Sequence, residues 1–154
     1  GRAIKRNEMV RVGRDRRVEL ALEQRARIGR GVADFLDLKK PDVAKVAGVA
    51  PSSVRFDQKI PREVFERLEE IANICALVAQ FFAGDTAKTA LWFRTRNALL
   101  GDIAPRDMIR FGRYEKLQQF VLDALNENMQ AASGEAVERH TRPLLTERTG
   151  NQSE

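Results

Sequence analysis

Residues 61–84 read PREVFERLEEIANICALVAQFFAG, and the spacing of their apolar side chains sets the architecture of the chain. Steps of four and three residues alternate, which is typical of a helix buried along one face; the positions are Val64, Leu68, Ile71, Cys75, Val78 and Phe82. This stripe is widened on one flank by Phe65, Ala72 and Ala79. Pro61 suits the first turn and Gly84 the end of a helix. The sequence predicts a spine helix of about six turns, long enough to share in a dimer interface.

Residues 41–57, which precede the spine helix, carry the spacing of a helix-turn-helix. The small side chain of Ala44 would let two helices cross closely, and Gly48 would form the left-handed turn between them. Val54 would fill the angle between the two helices. Pro41 would open the first helix and Pro51 the second. A group of polar side chains would then face a DNA major groove; they are Lys45, Ser52, Ser53, Arg55 and Lys59.

Two observations bear on this DNA-binding hypothesis. The same spacing occurs in helical corners that bind nothing, and Asp57 stands where an apolar residue is usual. Residues 1–40 contain 12 Lys and Arg but 6 Asp and Glu, and the rest of the chain has a net charge of −1. This excess fits a polyanion binder and a solvated basic face equally well. We expect a flexible basic arm over residues 1–25, with a helix from about Glu19, and a helix-turn-helix domain over residues 26–84.

The sequence of residues 85–130 predicts a second helical unit. Asp85 or Thr86 would start a helix that runs to about Arg94, and Trp92 and Phe93 give its end a large apolar area. An Asn97 loop follows. A short helix opened by Pro105 would end at Gly112, and an amphipathic helix would run over residues 114–130. The fold class is therefore all-α, a small helical bundle.

The order of features over residues 92–112 resembles the toxin-binding domain of Xre/MbcA/ParS-type antitoxins. These features are a Trp, an Asn-containing loop, Leu100-Gly101, a Pro-led short helix and a Gly turn. With the preceding helices, the resemblance covers about residues 26–128. Arg96 departs from it, because many members have Pro before the Asn. The resemblance implies a homodimeric antitoxin that blocks a cognate toxin and often represses its own operon. The toxin would be an enzyme that consumes NAD or transfers ADP-ribose from it.

A candidate toxin-binding surface lies in the same segment, because arginines and aromatic residues are enriched at interface hot spots. The candidate residues are Trp92, Arg94, Arg96, Asn97, Arg106, Arg110, Arg113 and Tyr114. Two alternatives stay open: Trp92 could be a core residue, and the arginines could be solvated.

Composition argues against several other functions. The chain has one histidine, one cysteine and no Gly-rich phosphate loop, so we expect no enzyme activity, no metal site and no cofactor. No apolar run is long enough for a membrane span, no signal peptide is evident, and we expect a cytoplasmic protein. Residues 131–154 read as a flexible tail in which Leu144-Leu145 could order on the toxin. The alternative function is a helix-turn-helix DNA-binding transcriptional regulator without a toxin.

Overall fold

The computed structural model describes residues 2–57 and 59–133, and for residues 2–15 and 133 it describes the backbone alone. Within these residues the chain forms six α-helices; they are α1 (Arg2–Leu36), α2 (Lys40–Ala47), α3 (Arg62–Phe81), α4 (Thr86–Arg94), α5 (Pro105–Arg110) and α6 (Tyr114–Ser133). Two short 3-10 turns lie at Pro51–Ser53 and Ala98–Leu100. The predicted all-α fold is confirmed.

The spine helix is α3, which contacts α1, α2, α4 and α6. Its buried face consists of Val64, Leu68, Ile71, Ile74 and Val78. The sequence pattern placed Cys75 and Phe82 on this face, but both are half-buried at its edge. Ile74 is fully buried instead. At 3.6 residues per turn, Ile74 and Cys75 lie on opposite sides of the line from Ile71 to Val78, so their spacing alone does not decide which of the two is buried.

Helix α1 is longer than the sequence indicated. The expected flexible arm is wrong for the described backbone, which is helical from Arg2 without a break near Glu19. The strong helix formers of this stretch extend the helix despite three glycines. Its core face begins only at Ala26, and among residues 16–25 only Leu22 is half-buried while the others are exposed. The first half of α1 therefore extends beyond the core.

The second helix of the expected helix-turn-helix is not formed, and this part of the prediction is wrong. Helix α2 ends as predicted at Gly48, which is left-handed with φ 72°. A single 3-10 turn begins at Pro51, and Val54 then takes an extended conformation with φ −79° and ψ 116°. Arg55 and Lys59 therefore do not belong to a helix that would present their side chains to a DNA groove.

Packing and local hydrogen bonds explain this extended connection. Val54 and Ile60 are both buried, and the δ-carbon of Ile60 lies close to Gly29 of α1. The Asp57 carboxylate accepts a hydrogen bond from the backbone N–H of Lys59 at 2.9 Å, which folds the chain into a turn. Pro61 disfavours a helical conformation at the residue before it. Burial of two apolar side chains outweighs the helix propensity of the segment.

The C-terminal unit forms largely as predicted. Asp85 caps α4 by accepting a hydrogen bond from the backbone N–H of Lys88 at 3.0 Å. Pro105 opens α5, and α6 begins at Tyr114 and continues to Ser133. One hydrophobic core joins residues of α1 to α6, so it bridges the boundary at residues 84–85. None of the described helices is long and apolar enough to cross a membrane. The predicted roles of His140 and Leu144-Leu145 fall outside the described residues.

Candidate partner-binding site

The aromatic end of α4 is anchored in the core. Phe93 is fully buried and packs edge-to-face against Phe35 of α1, with ring centroids 6.2 Å apart. Trp92 packs edge-to-face on Phe93 at 5.1 Å and is 7% exposed. Its indole Nε1 has no hydrogen-bond partner among the described residues. Trp92, a candidate for toxin contact, is therefore a core residue that presents little surface to a partner.

Asn97 organises the loop between α4 and α5. Its side-chain oxygen accepts from the backbone N–H of Leu99 at 2.9 Å, and its backbone oxygen accepts from Leu100 and Asp102. Its backbone N–H donates to the Ile103 oxygen at 3.2 Å and closes the loop. Asn97 is itself buried and offers little surface to a partner. Its hydrogen bonds fix the conformation of the loop residues that are exposed.

Two of the candidate arginines bind backbone oxygens at the end of α1, and one of them, Arg94, is exposed as well. Arg94 donates from Nη2 to the backbone oxygen of Phe35 at 3.2 Å, and Arg110 donates from Nη2 to that of Asp37 at 2.7 Å. Carbonyl oxygens at a helix C-terminus receive no hydrogen bond from within the helix. A cation is also favourable there, because the C-terminal end of the helix dipole is negative. Both arginines therefore join the C-terminal unit to α1.

The guanidinium of Arg110 lies among carboxylates. Its Nη1 donates to Asp107 at 3.1 Å, and its Nε lies 3.6 Å from Asp42. Arg106 Nη1 lies 3.7 Å from an Asp37 oxygen. A hydrogen bond from Lys39, followed by the charges of Lys39, Arg106 and Arg110, holds the pKa of Asp37 below its ordinary value of 3.8. This polar cluster ties α5 to the α1–α2 junction.

The remaining candidates divide between surface and interior. Arg113 is exposed, and Arg96 is exposed with its Nη1 3.8 Å from Asp102. Tyr114 is 9% exposed and lies beneath the guanidinium of Arg67, 4.4 Å from the ring centroid. Arg96 and Arg113 are thus the predicted side chains most available to a partner.

Besides Leu122 and Met129 of α6, three large apolar side chains that sequence reasoning missed are exposed on this unit. Leu91 is 65% exposed, Leu99 59% and Phe111 51%. They belong to α4, to the Asn97 loop and to the residue after α5, respectively. The sequence contained one signal for the exposure of Leu91: it directly precedes Trp92 and Phe93, and a helix cannot bury three consecutive side chains on one face. We refer to Leu91, Leu99 and Phe111 as the apolar triplet.

The predicted DNA-binding residues lie outside any common helical face. Lys45 is exposed on α2, Ser52 is exposed and Ser53 half-buried on the 3-10 turn. Arg55 donates from Nη2 to Asp57 at 2.7 Å, and Lys59 follows it on the extended connection. The hydrogen bond from the Lys59 backbone, then that from Arg55, lowers the pKa of Asp57. This negative carboxylate offsets part of the positive charge of Arg55 and Lys59.

The fold and this surface define an all-α protein with a helical C-terminal unit whose loop and helix ends present apolar side chains to solvent. Comparisons with models of protein families, with curated proteins and with solved structures found no match. Within the described part of the chain, no group of three or more His, Cys, Asp or Glu residues is placed to hold a metal ion.

Proposed function

We propose that this chain is an antitoxin that binds and blocks a cognate toxin through the apolar triplet and the cations beside it in sequence. The observation that carries the proposal is the exposure of Leu91, Leu99 and Phe111 within one short helical unit. A contiguous patch of exposed apolar side chains marks a protein-interaction site. The three residues lie on or beside α4 and α5, and these two helices contact each other.

The composition around the triplet also supports a protein partner. Exposed Arg96 lies between Leu91 and Leu99 in sequence, and exposed Arg113 follows Phe111 by two positions. Arginine is enriched where protein interfaces concentrate their binding energy. The Asn97 loop is fixed by its own hydrogen bonds, so little conformational entropy is lost when a partner docks. By the resemblance, the partner is an enzyme that consumes NAD or transfers ADP-ribose from it, and the chain itself performs no chemistry.

The experiment pairs the chain with the product of the adjacent gene. Co-expression is expected to rescue growth, and the two proteins are expected to co-purify. Leu99→Asp combined with Phe111→Asp should abolish rescue, because both changes place a charge in the interface core. The matched control is Leu122→Asp, which alters an exposed leucine of α6 and should leave rescue intact. Equal rescue by both variants would contradict this surface, and an adjacent product that the chain neither binds nor neutralises would contradict the antitoxin proposal.

The alternative function is a DNA-binding regulator without a toxin, and an antitoxin that represses its own operon would share this activity. One observation favours DNA contact: Arg16 and Arg17 are exposed on α1, in the region that carries the positive excess. The segment of Arg55 and Lys59 offers weaker support because it lacks a recognition helix.

Two double variants separate these candidate DNA surfaces. Arg16→Ala with Arg17→Ala should weaken binding to the chain's own promoter DNA and reduce its salt dependence, since fewer phosphates are neutralised and fewer counterions are released. Arg55→Ala with Lys59→Ala should change binding little. The reverse ranking would restore residues 45–59 as the DNA surface, and salt-independent or absent binding would remove the regulator alternative.

A further inference from the structure

The exposed side chains of residues 85–116, which include the apolar triplet, carry an excess of positive charge. Five of them are cationic and three are acidic; they are Lys88, Arg94, Arg96, Arg113 and Lys116 against Asp85, Asp102 and Glu115. The half-buried arginines of the same unit are engaged elsewhere, since Arg106 lies 3.7 Å from Asp37 and Arg110 lies 3.6 Å from Asp42. The excess charge therefore faces solvent.

Two of these cations share a helix surface with Leu91. Lys88 lies three positions before Leu91 on α4 and Arg94 three positions after it, and side chains at this spacing are neighbours. Arg94 donates from Nη2 to the Phe35 backbone oxygen but is exposed. Within the described residues, neither Lys88 nor Arg94 forms an ion pair with a carboxylate. Their positive charges are therefore not offset by an ion pair within this part of the chain.

Two further cations stand beside the other members of the triplet. Arg113 follows Phe111 by two positions, and it too has no ion pair with a carboxylate in the part of the chain that the structure describes. Arg96 precedes Leu99 by three positions and lies 3.8 Å from Asp102, with the two side chains 78% and 71% exposed. An ion pair this exposed contributes little, so it leaves Arg96 able to pair with another carboxylate.

We infer that the surface of the partner protein that covers the apolar triplet is acidic: an apolar depression bordered by Asp and Glu side chains. These carboxylates pair with the cations beside the triplet; they are Lys88, Arg94, Arg96 and Arg113. The inference rests on the proposed function, because it concerns the protein that binds the triplet. Cations that an interface buries without carboxylates would cost free energy, since a buried charge must be paired.

The two kinds of side chain have different roles in this interface. Contact with Leu91, Leu99 and Phe111 removes apolar area from water and supplies affinity. The cations attract an acidic surface over a distance, which raises the association rate, and they repel basic surfaces. The charges therefore select among proteins that offer a similar apolar depression.

A nucleic acid fits the same surface less well. Phosphates are bound by a basic surface, and each neutralised phosphate adds to the affinity. Here two exposed leucines lie among the cations, and an aliphatic side chain adds nothing to phosphate binding. The exposed carboxylates of Asp85, Asp102 and Glu115 would also repel phosphates. We therefore assign this surface to a protein.

The test measures the association rate constant between the full chain and the product of the adjacent gene, at salt concentrations from about 50 to about 300 mM. The wild-type rate constant should fall as salt rises. Lys88→Glu combined with Arg113→Glu should lower it about tenfold or more at about 50 mM salt, because reversed charges repel the partner's carboxylates. The dissociation rate constant should change by a smaller factor, since steering by exposed charges acts on association.

Two further double variants make this result specific. Lys40→Glu with Lys45→Glu changes the net charge equally at exposed positions of α2, outside residues 85–116, and should alter the rate constant much less. Lys88→Gln with Arg113→Gln removes two charges without reversing them and should give an intermediate rate constant. All the replaced residues are exposed, and circular dichroism verifies that each variant folds.

Four results would overturn the inference. A rate constant that is insensitive to salt and to Lys88→Glu with Arg113→Glu would remove the acidic surface. Faster association of that variant would show a basic one. An effect seen only after NAD is added to the partner would assign the cations to the phosphates of a bound dinucleotide. Loss of binding to the chain's own promoter DNA, with association to the partner unchanged, would assign them to a nucleic acid.

Failure of this inference is distinguishable from failure of the proposed function. Binding to the adjacent gene product that does not depend on charge would contradict only the acidic surface and would leave the antitoxin proposal in place. An adjacent gene product that the chain does not bind at any salt concentration would contradict both.

Discussion

Arg110 of α5 donates a hydrogen bond to the backbone oxygen of Asp37 at 2.7 Å, although 73 positions separate them in the sequence. Asp37 follows the last residue of α1 and has a left-handed backbone with φ 55°. The contact satisfies a carbonyl at the end of α1 and holds α5 against the α1–α2 junction. Arg110, which the sequence suggested as a contact for a partner, therefore joins two parts of the fold.

Removal of the Arg110 side chain should therefore destabilise the protein. We expect Arg110→Ala to lower the free energy of unfolding by about 1 kcal/mol or more, because the Asp37 carbonyl and the half-buried carboxylates of Asp42 and Asp107 lose a charged partner. Urea denaturation measures the change. Arg113→Ala is the control: Arg113 is exposed on the same unit, and its loss should change stability by less than about 0.5 kcal/mol. Equal effects of the two variants would show that the hydrogen bond to Asp37 contributes nothing.

Acid should weaken the same cluster. The pKa of Asp37 is lowered by its hydrogen bond with Lys39 and then by the charges of Lys39, Arg106 and Arg110. A carboxylate with a depressed folded pKa stabilises the protein above its unfolded value, and this stability is lost as pH falls from 3.8 through the folded value. Stability should thus decline in this window, and less steeply in Asp37→Asn.

Urea titrations at about pH 7 and at a series of pH values below 3.8 measure this loss. Asp123→Asn, an exposed carboxylate of α6, supplies the control and should retain the wild-type slope. A wild-type slope in Asp37→Asn would mean that other carboxylates cause the acid dependence.

Much of the fold could be predicted from the sequence because it depends on local signals. The period of apolar residues predicted α3, and Pro105 and Asp85 predicted the starts of their helices. The failure at Pro51–Ser53 has a non-local cause: burial of Val54 and Ile60 against distant residues outweighs helix propensity. The residue spacing of a helix-turn-helix carries no information about burial against residues that are distant in the sequence.

The candidate site was harder to predict than the fold. Arg94 and Arg110 bond to backbone oxygens more than fifty positions away, so no local pattern distinguishes them from solvated arginines. Exposure of Leu99 likewise depends on how the hydrogen bonds of Asn97 fold the loop. Residue type is the basis on which we propose the segment as an interface, but only packing determines which of its side chains are exposed.

Cys75 should react slowly with thiol reagents. Burial raises the pKa of its thiol from 9.0 to about 12, so at about pH 8 the thiolate, which is the reactive species, is roughly a thousandfold scarcer than for an ordinary cysteine. Absorbance with a disulfide reagent follows the reaction. The same chain in about 6 M urea, above usual unfolding midpoints, provides the fast reference. A native rate near that reference would show that the thiol is not held in an apolar environment.

Two glycines of α1, two positions apart, should respond differently to alanine. A β-carbon at Gly31 meets no atom within 4 Å, so Gly31→Ala should gain the helix propensity of alanine, about 0.5–1 kcal/mol. A β-carbon at Gly29 would lie 3.1 Å from the δ-carbon of Ile60 and 3.3 Å from a δ-carbon of Leu68. Both contacts are tighter than ordinary van der Waals contact and press α1 away from the core.

The free energies of unfolding of the two variants therefore test how closely α1 packs on α3. Gly29→Ala should be less stable than Gly31→Ala by about 1 kcal/mol or more, because overpacking opposes the same propensity gain. If both alanines stabilise the chain equally, α1 must lie farther from Ile60 and Leu68 in solution than these distances indicate.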